Sequence, residues 1–499
     1  MSIKRLAGET AIYGISSILG RLLNFVILTP FLTRVFPAEE YGVISDLFFY
    51  TAFGIALLTF RMDTAVFRFA SRPENDARQV YRKASRLGWG LVIFLVGGAL
   101  LFAEQIADWV AYPDRAIYVR LVLLIIAFDV LAAVPLARLR LNNRPWTFAL
   151  VNLANILVNI GLVFFFLYFA DRQQANPAFS WFEQDSRLSY YFFAVLAASA
   201  LRYVLLLLDN ARQNWKAKFV DEPLLDSPSQ RLTISYRQLF QYSAPLVIVA
   251  LAGIVNGLIG PTMIKYWHGG TVSDNLFWAG QYGAAAKLAI FINLFVQAYN
   301  YAAEPFFFRQ AGQNPEAADR QIYADAARTF LLLGSLAAAA ILLLLPYVQL
   351  FIGKDAREGL IVLPFLLFAN ILLGLYYNFA ISYKLTDRTR LGGIIAIIGS
   401  AIIILGDIWL IPQIGILGAA YAVLSCFLVM CVLAYLVSRR YFPIPYDLGR
   451  MTYYLIVTIV FIYIGLRFEW MAIRLLLLFV LPLVFWLTEK QWLKSLLKK

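Results

Sequence analysis

The chain has 499 residues, of which 61% are hydrophobic and 15% are charged, and its mean hydropathy is +0.70. Soluble proteins average about half apolar and a quarter charged residues, so this composition excludes a soluble globular protein and indicates a polytopic membrane protein. The net charge is +13, and the sequence contains no basic domain outside the apolar runs. We therefore attribute it to membrane topology and not to nucleic-acid binding.

Runs of about 20 apolar residues are long enough to cross a bilayer as helices, and the chain contains fourteen of them. In chain order they cover residues 9–33, 42–66, 84–103, 116–137, 146–170, 189–208, 239–264, 278–303, 327–350, 359–382, 391–411, 414–437, 451–466 and 471–488. Most of the 43 Lys and Arg residues fall in alternate loops, which predicts that both termini are cytoplasmic. The predicted fold class is all-α, with fourteen transmembrane helices.

A duplicated pattern relates the two halves of the chain. The matching positions are Tyr41-Gly42 with Tyr282-Gly283, Asp46 with Lys287, Asp63 with Glu304, Phe67-Arg68 with Phe308-Arg309, Arg78-Gln79-Val80-Tyr81 with Arg320-Gln321-Ile322-Tyr323, Arg86 with Arg328, and Arg140 and Arg144 with Lys384 and Arg388. Each copy holds six spans, and an even number of crossings gives both copies the same orientation. We therefore predict a central site between the two copies.

This duplication predicts the domain organisation. Residues 1–208 form an N-terminal six-helix lobe, 209–237 a cytoplasmic linker, and 238–438 a C-terminal six-helix lobe. Residues 439–499 add two unduplicated spans and a basic cytoplasmic tail.

Three cations in the apolar runs are candidate ligands for an anionic group. Arg21 lies near the middle of the first span, Arg61 ends the apolar part of the second, and Lys287 lies about a third of the way along the eighth. A lone cation at mid-bilayer costs at least about 2.5–3.5 kcal/mol, so such residues face a partner or a wet cavity. The alternatives are an ion pair for Arg21, an interfacial anchor for Arg61, and for Lys287 an interface or a pair with Asp46.

Two further arginines, Arg120 and Arg202, lie closer to span ends, where we expect interfacial anchors. Both cysteines, Cys426 and Cys431, share one apolar run, so we predict packed thiols without a disulfide framework. A single histidine leaves no His/Cys cluster for zinc, and the sequence predicts no metal or cofactor. That histidine, His268, lies in a predicted outside loop, where we expect it to be solvated.

Four acids are candidates for ion coupling or gating. Asp46, Asp129 and Asp407 lie inside apolar runs, and Glu304 follows the eighth span directly before Pro305. A carboxyl group that leaves water binds a proton more readily, which makes it a proton carrier in principle. For each acid alone we favour a packing ion pair or hydrogen bond. Asp46 is the exception, because it is the repeat partner of Lys287.

Three short segments carry a resemblance to a known family. They are Phe36-Pro37-Ala38-Glu39-Glu40-Tyr41-Gly42 after span one, Arg61-Met62-Asp63 with Phe67-Arg68-Phe69-Ala70 after span two, and Ile411-Pro412-Gln413-Ile414-Gly415-Ile416-Leu417-Gly418-Ala419-Ala420 between spans eleven and twelve. With fourteen spans and the duplication, their order resembles the Wzx-like polysaccharide and oligosaccharide-lipid flippases of the multidrug/oligosaccharidyl-lipid/polysaccharide (MOP) exporter superfamily.

The resemblance implies a V-shaped pair of six-helix lobes that opens alternately to each side of the bacterial cytoplasmic membrane. Such a transporter, which is not an enzyme, moves undecaprenyl-pyrophosphate-linked oligosaccharide to the outer leaflet for O-antigen or other polysaccharide export. A polysaccharide polymerase or export complex is a candidate partner. Because the sequence shows no ATP-binding loop, turnover would rest on the membrane potential or on antiport, with H⁺ or Na⁺ as candidate coupling ion. Lipid II flippases are similar in placing an acid, arginines and a cation where this chain has Asp46, Arg21, Arg61 and Lys287. Lysine in helix eight and different surroundings make lipid II the less favoured cargo.

The charges agree with this reading. A pyrophosphate carries about two negative charges, which a cavity lined by Arg21, Arg61 and Lys287 would neutralise. No GxxxxGK[ST] loop is present, so the chain itself does not hydrolyse ATP.

Three alternatives stay open. An ion-coupled drug exporter of the same superfamily would need an acidic cavity, and the net-basic lobes argue against it. A membrane polysaccharide polymerase would need a larger outside loop than 171–188, the longest here. The third is a scrambling or structural partner in an assembly complex.

Overall fold

A computed structural model of the protein describes residues 19–20, 22–72, 74–173, 176, 183–219, 233–311, 319–468 and 470–498. Within these ranges the chain is almost entirely helical, which confirms the all-α fold class. The helices are α1 Asn24–Val35, α2 Ala38–Thr59, α3 Met62–Ala70, α4 Ala77–Leu101, α5 Ala103–Trp109, α6 Ala116–Leu141, α7 Pro145–Ala170, α8 Arg187–Phe219, α9 Tyr236–Leu258, α10 Gly260–Trp267, α11 Val272–Ala311, α12 Arg320–Leu343, α13 Leu363–Leu385, α14 Thr389–Ile414, α15 Ile416–Tyr441, α16 Leu448–Arg467 and α17 Met471–Lys498.

Thirteen helical stretches in the described ranges are long and apolar enough to cross a membrane. Each predicted span from the second onward overlaps one of them. The shorter apolar helix α1 falls in the first predicted span, whose residues 9–18 and 21 lie outside the described part of the chain. The multi-pass architecture is therefore confirmed.

Two predicted spans differ from the helices that form. The seventh is interrupted at Ile259, between α9 and α10, because Pro261 has no N–H to donate to the carbonyl four residues earlier. The eighth belongs to α11, a single helix of 40 residues. Glu304 follows the candidate span, which ends at Tyr301, as predicted, although α11 itself continues past Glu304 and Pro305 to Ala311.

The duplicated segment after the second and eighth spans begins a helix in both copies. The Asp76 carboxylate accepts hydrogen bonds from the N–H groups of Arg78 (2.9 Å) and Gln79 (3.2 Å) at the start of α4. The Asp319 carboxylate likewise accepts from the N–H of Gln321 (3.0 Å) at the start of α12. An aspartate in this position stabilises a helix by about 1 kcal/mol. The two caps differ in register by one residue, which hid them from the alignment.

The contacts divide the chain into two compact units. The first comprises residues 1–28 and 44–255, and its core lies around α6, α7 and α8. The second comprises residues 29–43 and 256–499, so the end of α1 and the start of α2 pack with the second half of the chain. A Cβ on Gly42 would lie 1.9 Å from the Leu276 carbonyl oxygen, and one on Gly280 would lie 1.8 Å from that of Ala38. Only glycine permits this crossing of α2 and α11.

The two unduplicated helices, α16 and α17, are fixed to α12 by one buried acid. Glu489 is 1% exposed and forms ion pairs with Arg328 and with Arg450, the latter at 2.9 Å. The Arg328 Nε also donates to the Tyr454 hydroxyl at 2.8 Å. Its guanidinium lies 4.1 Å from the centroid of the Trp492 ring.

We expect Arg328→Ala to lower the free energy of unfolding by about 3 kcal/mol, because it leaves a buried carboxylate with fewer partners. The measurement is the thermal unfolding midpoint in detergent. Arg86→Ala is the matched control: Arg86 is the repeat counterpart of Arg328 and is exposed on α4. Equal midpoints for the two variants would contradict the assignment.

Candidate functional site

The structure places two of the three predicted cations. Arg21 lies outside the described residues, so its role stays a prediction. Arg61 belongs to the first unit and Lys287 to the second.

Arg61 lies at a break in the second span. Phe60 has φ 47° and Arg61 has φ 52°, so two consecutive residues that are not glycine adopt the left-handed conformation between α2 and α3. Each such residue costs on the order of 1–3 kcal/mol, and strain of this kind persists where the surrounding structure requires it, often at functional sites. The repeat counterparts of these two positions lie inside the unbroken α11.

The side chain of Arg61 is half-buried. Its Nε is buried and makes no hydrogen bond to any part of the chain that the structure describes. A buried donor without an acceptor is costly, by about 1–3 kcal/mol or more for a charged group. An anion would satisfy this donor, so the structure is compatible with the predicted anion-binding role of Arg61, and both that role and the interfacial-anchor alternative stay predictions.

Lys287 lies fifteen residues after Val272, the first of the 40 residues of α11. It is therefore somewhat more than a third of the way along that helix, close to the position predicted for it. The alternative that its side chain reaches an interface stays a prediction. Lys287 is half-buried, which suits a cation at the wall of a cavity.

Asp46 is fully buried on α2 and accepts a hydrogen bond from the Tyr112 hydroxyl at 2.6 Å. A hydrogen bond of 2.6 Å is at the short end of the usual range for hydroxyl donors. It fixes the carboxylate within the first unit. Tyr112 was not among the predicted site residues, and the predicted pairing of Asp46 with Lys287 stays a prediction.

Two ion pairs repeat between the halves. In the first unit Arg140 Nη2 lies 3.9 Å from Asp63 Oδ2, and in the second Lys384 Nζ lies 2.7 Å from Glu304 Oε1. The alignment had matched Asp63 with Glu304 and Arg140 with Lys384, so the structure brings together equivalent residues in both copies. Exposed ion pairs contribute about 0–1 kcal/mol to stability. These two are better suited to fix the geometry of helix ends than to stabilise the fold.

Asp129 and Arg202 form an ion pair between α6 and α8. Their side chains are 19% and 18% exposed, so we expect a packing role for both. This agrees with the prediction for Asp129 and corrects the one for Arg202, which is not an interfacial anchor. Arg120 forms an exposed ion pair with Glu104 at 3.1 Å, close to the start of α6.

Asp407 behaves differently from the other acids. It is fully buried on α14, and neither carboxylate oxygen has a hydrogen-bond partner among the residues that the structure describes. The expected packing ion pair or hydrogen bond was therefore wrong for this residue. An ionised carboxylate without a partner is very unfavourable in an apolar interior, so this group would take up a proton or a cation.

His268 is also not solvated as expected. Its ring stacks on that of Trp278 with centroids 5.3 Å apart. Burial lowers the pKa of His268, so the side chain is neutral at pH 7 and packs as an aromatic ring.

The protein is similar to known proteins in its three-dimensional structure. No family model matches the sequence, and no curated protein matches it. Among solved structures, the lipid II flippase MurJ in an inward closed conformation matches 96% of this chain and 99% of its own, at 13% identity and a TM-score of 0.67. An inward-facing multidrug resistance MATE family transporter of the MOP superfamily matches 89% of this chain and 95% of its own, at 13% identity and a TM-score of 0.61. A MATE protein in a bent conformation gives 14% identity, coverage of 90% and 95%, and a TM-score of 0.56.

The chain has the MOP fold. This confirms the all-α polytopic fold class, and identities of 13% and 14% establish nothing beyond the fold. What a protein with the MOP fold carries must therefore be argued from its own side chains.

The sequence analysis named Arg61 and Asp407 as candidates, but it did not name Tyr112 or predict the strained backbone at Phe60. The repeat alignment held a signal for the two ion pairs, because it matched an acid and a base in each half.

Proposed function

We propose that the chain is a flippase that moves undecaprenyl-pyrophosphate-linked oligosaccharide across the bacterial cytoplasmic membrane by alternating access, for cell-surface polysaccharide export. The observation that carries this proposal is the half-buried guanidinium of Arg61, which has an open donor at a strained break in the second span. An anion is the ligand that satisfies it.

A lipid-linked pyrophosphate fits this site by charge and by geometry. Moving its roughly two negative charges through hydrocarbon without compensation would be prohibitive. The planar fork of an arginine binds phosphate oxygens in pairs, while a lysine acts as a point charge. Arg61, Lys287 and, by the sequence prediction, Arg21 together supply enough positive charge.

The similarity to a lipid II flippase supports a lipid-linked cargo. That match leaves only 4% of this chain uncovered. The uncovered part is shorter than α16 and α17 together, so the match includes at least part of these two helices. Both helices expose large apolar side chains, among them Tyr463 on α16 and Leu476 and Phe479 on α17. A polyprenyl tail would stay in the lipid beside such a surface while the charged head crosses.

The location, partner and energy source belong to the same proposal. We infer a multi-pass protein of the inner membrane with both termini in the cytoplasm, a polysaccharide polymerase or export complex as partner, and H⁺ or Na⁺ as coupling ion. The similarity in fold to transporters favours a role other than an enzyme's.

Lipid II is the second candidate, because the first solved structure above is named for it. It also carries a diphosphate, so the cations do not separate the two cargoes. A multidrug exporter ranks third, because the open donor at Arg61 does not suit cationic drugs.

The test is a leaflet-sidedness assay in cells that lack the protein. We expect lipid-linked oligosaccharide to accumulate in the cytoplasmic leaflet, and the wild-type chain to restore its exposure on the outer leaflet. Normal sidedness without the protein would overturn the proposal. Accumulation of lipid II alone would favour the second candidate.

Asp407 is our candidate for ion coupling, and Asp407→Asn tests it. We expect the variant to fold, because asparagine is close to isosteric, and its translocation in vesicles to lose any response to an imposed proton or sodium gradient. The matched control is Asp108→Asn, at an exposed acid on α5. An unchanged gradient response in Asp407→Asn would remove this residue from the coupling site.

A further inference from the structure

A crevice in the first unit involves none of the residues assigned above. It lies between α4, α6 and α8 and has a volume of about 130 Å³. The crevice exists partly because Gly88 of α4 lines it and has nothing within 4 Å of the position of a Cβ. On the facing helix α6, Pro135 also lines it.

One end of the crevice is polar and positively charged. The side chain of Asn210 donates to the Tyr81 hydroxyl at 2.9 Å and accepts from Arg138 at 3.0 Å. The Arg138 guanidinium also lies 4.9 Å from the centroid of the Tyr81 ring. These contacts hold a guanidinium in place, and only one of its five N–H donors is used by Asn210.

The same end offers an open hydroxyl and further charge. Ser85 lines the crevice, and its Oγ is buried without a hydrogen-bond partner in the part of the chain that the structure describes. Arg82 and Arg86 are exposed on α4, each directly after a residue that lines the crevice. A negatively charged group that accepts hydrogen bonds is the ligand that suits this end.

The other end is apolar and open to the surface. Trp89 and Leu207 line it and are each 45% exposed. One turn further along α4, Ile93 is 60% and Phe94 is 78% exposed, as expected for side chains that face lipid. The crevice is thus cationic at one end and apolar at the other, along the direction of the spans. A phospholipid with an anionic head group and apolar acyl chains is complementary to both ends.

We propose that this crevice binds an anionic phospholipid. Its phosphate lies against Arg138 and Ser85, with Arg82 and Arg86 at the rim, and one acyl chain runs past Trp89 onto the exposed face of α4. Basic pockets between spans on the cytoplasmic side commonly bind anionic head groups, and α4 begins on the side that we predict to be cytoplasmic. The site does not depend on the cargo that the protein carries.

The test uses the purified full-length chain in detergent, with phosphatidylglycerol and phosphatidylcholine as probes. Native mass spectrometry gives the bound lipid, and the thermal midpoint gives the stabilisation. We expect phosphatidylglycerol to bind more tightly and to raise the midpoint more. Arg138→Gln removes the fixed charge and should weaken phosphatidylglycerol binding about tenfold, the loss of one charge-assisted contact. Gly88→Leu fills the crevice and should weaken this binding at least as much by excluding the lipid.

Gly90→Leu is the matched control, because Gly90 is on the same helix and also has nothing within 4 Å of a Cβ, but it does not line the crevice. We expect it to bind like the wild type. Equal affinity for the two lipids, or wild-type binding by both Gly88→Leu and Arg138→Gln, would overturn the proposal. So would displacement of the phospholipid by an equimolar polyprenyl phosphate, which would make the crevice a cargo site.

Discussion

Replacing Arg61 by alanine is expected to slow translocation at least about tenfold and to leave the protein inserted, folded and no less stable. The guanidinium has an open donor and sits on a strained backbone, so its removal takes away no contact that the fold needs. A charge-assisted hydrogen bond to a phosphate oxygen is worth about 1.5–3 kcal/mol. The rate should therefore fall by roughly ten- to a hundredfold for each such bond lost. This combination separates a substrate ligand from a structural arginine, whose loss lowers stability as well.

The measurement pairs the leaflet-sidedness assay with the thermal midpoint of each purified variant. Arg61→Lys should recover only part of the rate, because a point charge does not replace a planar fork. Arg120→Ala is the control: it removes the same side chain from an exposed ion pair on α6 and should translocate normally. Lys287→Ala and Arg21→Ala should fail as Arg61→Ala does. Wild-type export by all three would refute the cationic cavity.

Apolar length and turn residues were enough to predict the spans, because a bilayer requires each helix to satisfy its own backbone hydrogen bonds. They were not enough to place the helix ends. The start of α11 was missed because Asp274 and Asn275 are polar. The Asp274 N–H donates to the Thr271 hydroxyl at 3.2 Å, and the Thr271 N–H donates to the Asp274 carboxylate at 3.2 Å. This reciprocal cap is readable from the sequence, and it would have placed the start of α11 at Val272.

The candidate site was less predictable than the spans. Whether Arg202 anchors at an interface or pairs with Asp129 depends on which sides of α6 and α8 pack against each other. These helices are far apart in the chain, and a hydropathy pattern does not predict which of their sides are in contact. Asp407 was expected to have a partner because most buried acids do, and only the packed structure shows that its oxygens have none in the described chain. The strain at Phe60 and Arg61 has no sequence signal, since neither residue favours a positive φ.

Joining Glu39 to Ser273 through a pair of introduced cysteines is expected to stop translocation until the bond is reduced. In the second unit the Ser273 hydroxyl donates to the Glu39 carboxylate at 2.5 Å, and the N–H of Gly353 donates to the Thr33 hydroxyl at 3.0 Å. Residues 29–43 belong to the first repeat by sequence, yet they pack with α11 and the segment around Gly353 in the second unit. If the protein works by alternating access and the two repeats separate at this contact in each cycle, a covalent bond here should hold it in one state.

The double variant Glu39→Cys/Ser273→Cys, treated with a short thiol cross-linker, should lose nearly all of its rate and regain it with a reductant. The natural Cys426 and Cys431 are 0% and 5% exposed, so they should not compete for the reagent. Glu104→Cys/Arg120→Cys is the control, because it cross-links an exposed ion pair within the first unit and should leave the rate unchanged. A full rate in the cross-linked Glu39/Ser273 variant would mean that residues 29–43 stay on α11 throughout the cycle. The moving boundary would then lie within the first repeat, and the strained break at Phe60 and Arg61 would be the first place to look for it.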